Sequence, residues 1–64
     1  QAAFDAFQRA TSPADMHVAV TQYPFMIEQG FIQAIEAVIQ EQVRSKHKPA
    51  FQQRLAWLRA IAKP

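Results

Sequence analysis

At 64 residues the chain has room for one small domain and none for an enzyme built around a cleft between two lobes. Half of it is hydrophobic, but twelve of those residues are alanine, and with no cysteine there is neither a disulfide staple nor a thiolate metal site to support a small core. The net charge is +2, yet residues 1–43 hold every acid and one cation, Arg9, whereas six cations and no acid lie from Arg44 onward, an asymmetry suited to self-association, to an acidic partner or to internal compensation.

Alanine and glutamine together make twenty-one residues and glycine occurs once, so composition favours helix throughout. Ala3, Phe4, Phe7 and Ala10 stand at helical spacing and predict a first helix over about residues 2–10, with Asp5, Gln8 and Arg9 on its other face. Ser12 precedes Pro13, the favoured first helical residue, and Asp15 follows three positions on. This pattern predicts a second helix capped by Ser12, with the Asp15 carboxylate reaching back toward free amides at the positive helix end. Met16, Val20 and Tyr23 give that helix its core stripe, and Pro24 forces Tyr23 out of helical geometry, closing it near residue 22. Phe25, Met26 and Ile27 then read as an apolar connector.

The third helix is expected to be the long one, over about residues 28–44. Phe31, Ile32, Ile35, Val38, Ile39 and Val43 cover an arc roughly 140° wide, with Gln29, Gln33, Glu36, Gln40 and Arg44 opposite, which suits a central helix touching two or three others. Gly30, in its first turn, is read as permitting a close approach by another backbone. Residues 45–48 form a polar link, and Pro49 opens a fourth helix that runs to about Ala62 on a stripe of Phe51, Leu55, Leu58 and Ala62, with Ile61 beside it. Connections this short fold neighbouring helices back on one another. The expected fold is therefore all-α: a small four-helix bundle of two helical hairpins with a long central third helix.

Chemistry is scarce in this sequence. His17 and His47 are the only histidines, on separate segments, so no metal site is expected, and no cofactor either. Ser12 is accounted for as a helix cap, Ser45 beside His47 lacks a nearby acid, and Glu36 and Glu41 point to different sides of their helix. One glycine cannot build a phosphate-cradling loop. An enzyme is not expected. The basic cluster of Arg44, Lys46 and Lys48, continued by Arg54, Arg59 and Lys63, reads either as solvated helix-end charge or as a surface for nucleic acid or an anionic lipid. Trp57 lies about 120° from Phe51 on the helix wheel. There it either buries its body against helix one or three, or anchors a partner together with Ile61 and Arg54.

The opening Phe4-x-x-Phe7-x-x-Ala10-Thr11-Ser12, the acid Asp15, the Tyr23-Pro24 break followed by Met26-Ile27, the long apolar helix and the final Leu55-x-x-Leu58 have one more implication. Across nearly its whole length the chain resembles a helical accessory module of cyanobacterial and actinobacterial multidomain proteins, found there beside TPR repeats and CHAT-type peptidase domains. It departs from the usual pattern at Gly30 and at Lys46-His47-Lys48-Pro49, where a Gly/Asp-rich turn is usual. The resemblance implies a bacterial, noncatalytic module, with any peptidase activity in a separate domain. The expected function is a protein–protein interaction or scaffold module that binds another protein or itself, as a homo-oligomer; the alternative is a small nucleic-acid-binding domain using the C-terminal Lys/Arg cluster. The start at Gln1 suggests a single domain, 1–64, excised from a longer protein. No apolar run approaches the roughly 18–20 residues of a membrane span, and with no cysteine present a cytoplasmic location is expected.

Overall fold

Four helices form where the apolar periodicity places them. In the computed structural model, which describes residues 2–63, α1 spans Ala2–Arg9, α2 Pro13–Gln22, α3 Gln29–Gln42 and α4 Lys48–Ala62. Short 3₁₀ turns occupy Pro24–Ile27 and Ser45–His47, and there is no strand among the described residues. The radius of gyration is 10.7 Å, which matches a fully packed chain of this length, at about 10.7 Å. No helix stands away from the others as an arm.

The start of α2 follows from three residues. Ser12 is extended (φ −154°, ψ 163°), Pro13 is the first helical residue, and the Ser12 hydroxyl accepts the Asp15 amide at 3.1 Å. The Asp15 carboxylate reaches one residue further back than a capping box would: its Oδ2 accepts the Thr11 hydroxyl at 2.9 Å and the Thr11 amide at 3.2 Å. Those two donors, the hydroxyl foremost, hold the Asp15 carboxyl below its ordinary value of 3.8. Because the folded value is the lower one, the stability that Asp15 contributes is present above pH 3.8 and is lost as pH falls through the folded value. Urea midpoints followed from about pH 5 to about pH 2 should therefore fall less steeply for Asp15→Asn than for the parent chain, and the variant should be the less stable of the two at neutral pH.

The core is shared by the four helices and the Pro24–Ile27 turn. Phe7 and Ala3 of α1, Met16 and Ala19 of α2, and Met26 of the first 3₁₀ turn are buried, as are Ile32, Ile35 and Ile39 of α3 and Leu55 and Leu58 of α4. The helices pair as two hairpins, α1 on α2 and α3 on α4. The centre of the bundle, however, is α4 rather than α3, and at 15 residues against 14 it is also the longer helix. It packs against α1, α2, α3 and the Pro24–Ile27 turn, whereas α3 packs mainly on α4 and that turn. The wide apolar arc of α3 is only partly used: Ile32, Ile35 and Ile39 are buried, while Phe31 and Val43 at its edges stay half-buried. In α4 only Leu55 and Leu58 of the expected stripe are fully buried; its end members Phe51 and Ala62, with Trp57 and Ile61 beside them, are half-buried and also lie against the core, so contact with several neighbours does not require a wide fully buried face.

α3 also ends two residues earlier than its periodicity suggests. Val43 (φ −92°, ψ 130°) and Arg44 (φ −67°, ψ 150°) are extended, and the Arg44 carbonyl then accepts the amides of His47 and Lys48 at 2.8 and 3.1 Å. The expected polar link is thus a wound turn that feeds α4 directly. Lys48 donates from Nζ to the Gln40 carbonyl at 3.5 Å, setting a cation near the negative end of α3. Gly30, the second residue of α3, is exposed, and nothing lies within 4 Å of a Cβ placed there. No neighbouring backbone exploits it, and its φ is not positive. Gly30→Ala should raise stability by roughly 0.5–1 kcal/mol, read as an upward shift of the denaturation midpoint.

Candidate interaction surfaces

The apolar connector becomes a turn with two outward anchors. Pro24 cannot continue α2, so the chain tightens into the 3₁₀ turn Pro24–Ile27, where Met26 is wholly buried while Phe25 and Ile27 on either side are 41% and 40% exposed. Phe25 is held in place by aromatic neighbours on both sides. Its ring meets Tyr23 edge-on at 6.2 Å and Phe31 edge-on at 5.6 Å, arrangements that favour the aromatic quadrupole. The result is a fixed apolar ridge between α2 and α3. Val18 on α2 is the other large apolar residue left open, at 57%.

A second surface is concave. The ends of α1 and α3 meet the Ser45–His47 turn and the start of α4 around a groove of about 420 Å³. Phe4, Val38, Val43 and Phe51, all half-buried, supply its apolar walls. Arg44, Lys46 and His47, all exposed, stand at its edge, and among the described residues no carboxylate lines it. Phe4 stacks on the buried Phe7 (6.2 Å, 15°), which in turn meets Phe51 (6.4 Å, 50°), so two of the four walls are braced against the core.

The basic residues do not form one stripe. Arg44, Lys46 and Lys48 lie at the N-terminal end of α4, and Arg59 and Lys63 at its other end, about 22 Å along a helix of this length. Arg59 is bound to Glu36 across the α3–α4 hairpin, and Lys48 to the Gln40 carbonyl. Arg54 donates back along its own helix to the Ala50 carbonyl at 3.2 Å, and its Nε is buried without a partner. Trp57 and Ile61 are half-buried and pack against the core. Ser12 and Asp15 occupy the α2 cap described above. Among the described residues no group of three or more His, Cys, Asp or Glu side chains is placed to hold a metal ion, and no helix is long and apolar enough to cross a membrane.

Sequence reasoning missed Phe25 and Ile27 as surface residues because an apolar triplet beside proline gives no sign of which member turns inward. It also missed the Glu36–Arg59 pair, whose members lie on the outer faces of separate helices. No protein-family model, curated protein or solved structure matches the chain.

Proposed function

We propose that this chain is a noncatalytic protein-interaction module that self-associates through the ridge formed by Phe25 and Ile27. The observation that carries this reading is the exposure of these two side chains in a chain with few large apolar residues to spare. A fixed apolar ridge is the kind of feature around which interface anchors cluster. Opposite charge in the two halves of the chain favours the meeting of two copies. The resemblance to a bacterial accessory module agrees with this reading. Nucleic-acid binding through the C-terminal Lys/Arg residues has less support, because the cluster is divided between the two ends of α4 and three of its members, Lys48, Arg54 and Arg59, are engaged.

The test is sedimentation across a micromolar-to-millimolar series, with circular dichroism on the same samples. The parent chain is expected to shift from monomer to dimer as concentration rises. The double variant Phe25→Ser, Ile27→Ser should keep its helicity and remain monomeric. A parent chain that stays monomeric throughout, or a double variant that dimerises equally well, would remove the ridge as a self-association surface.

A further inference from the structure

We infer that the groove between α1, α3 and the Ser45–His47 turn is a docking site for an acidic amphipathic peptide segment, one that places large apolar side chains between Phe4, Val38, Val43 and Phe51 and its carboxylates against Arg44, Lys46 and His47. This goes beyond self-association through the Phe25 ridge and involves different residues. Three observations carry it.

The first is shape. A groove of about 420 Å³ falls in the size range of ordered ligand sites, and it lies where four elements converge rather than along a single helix. The second is stiffness. Phe4 and Phe51 flank the wholly buried Phe7, so these walls are set by the core and do not have to be ordered when a ligand arrives. The third is charge. Every ionisable group lining the groove is basic or a histidine, and the segment from Arg44 onward contains no acid. Arg44 and Lys46 are exposed, and neither pairs with a carboxylate among the described residues. Such a rim attracts carboxylates and repels a basic segment of equal hydrophobicity.

Apolar walls decide between the classes of anionic partner. A nucleic-acid strand gains most from cations in a row, and here the cations stand at the edge of an apolar depression. A helical segment with apolar anchors three and four residues apart and acids between them matches both parts of the groove.

Fluorescence anisotropy tests this with a labelled synthetic helical peptide carrying Leu at alternating third and fourth positions and Glu between them, beside a control peptide with Lys in place of every Glu. The acidic peptide is expected to bind the parent chain saturably at about 50 mM salt and more weakly at about 200 mM, and the basic peptide not to bind. Arg44→Glu with Lys46→Glu should weaken binding about tenfold or more while helicity stays native, and Lys63→Glu at the far end of α4 should leave it nearly unchanged. Because a loss with charge reversal alone could reflect general attraction, the charge-neutral Val38→Asn provides the second arm and should also weaken the acidic peptide without unfolding the domain. The Phe25→Ser, Ile27→Ser variant should bind the peptide as the parent does, which separates failure of the groove from failure of the ridge. No binding of the acidic peptide, equal binding of the basic one, equal weakening by Lys63→Glu, or loss of binding only in the ridge variant would overturn the proposal. So would tighter binding of a polythymidylate strand or of anionic vesicles than of the peptide.

Discussion

Phe7→Ala is expected to cost about 3–5 kcal/mol and to leave most of the domain unfolded in buffer at room temperature. A single core in a chain this small rarely supplies more than about 3–5 kcal/mol of net stability, so one cavity of this kind consumes the margin. Phe7 is fully buried and joins α1 to α4, with Phe4 on one side at 6.2 Å and Phe51 on the other at 6.4 Å. Circular dichroism should show loss of helix well beyond the eight residues of α1, because the vacated space borders α4, which touches the other helices. A variant with native helicity and an unchanged urea midpoint would show that α1 is not integral to the fold.

Met26→Ala should be nearly as damaging, at about 2–5 kcal/mol. Met26 has no exposure, yet both neighbours in the turn are open to solvent. The adjacent Phe25→Ala therefore serves as a control and should lower the midpoint by a fraction of that amount, since only part of the ring is covered. A Phe25 effect as large as that of Met26 would mean that the Pro24–Ile27 turn packs the other way round. Urea denaturation followed at 222 nm decides between them.

These contrasts show where the sequence is informative. The cap of α2 was legible because its determinants are local: Ser12, Pro13 and Asp15 lie within one turn, and each acts through backbone groups a few residues away. The Tyr23–Pro24 break was legible for the same reason, since proline restricts the residue before it whatever surrounds them. The inner members of each stripe, Phe7, Met16, Ile35, Ile39 and Leu58, follow from periodicity. The centre of the bundle does not. Which helix the others pack against depends on how two hairpins dock, and α4 takes that place with half-buried residues that no periodicity ranks above those of α3. The groove was hidden for a related reason. Phe4, Val38, Val43 and Phe51 each read as core residues, and their shared concavity exists only once three separated segments meet beside Arg44 and Lys46. The Glu36–Arg59 pair likewise depends on the register between α3 and α4. With both members well exposed, it contributes about 0.2–1 kcal/mol.

The position of α4 also has a consequence for synthesis on the ribosome. The element on which α1, α2 and α3 all pack is the last of the four to be made. Helices of 8 and 10 residues such as α1 and α2 are marginal by themselves, since isolated helices need roughly 12–15 residues to persist in water. Until α4 leaves the exit tunnel, the nascent chain carries Phe7, Met16 and the isoleucines of α3 without their main cover. Folding of these four helices is thus deferred to the emergence of α4 and then proceeds as one event, leaving an interval in which their apolar surface is uncovered.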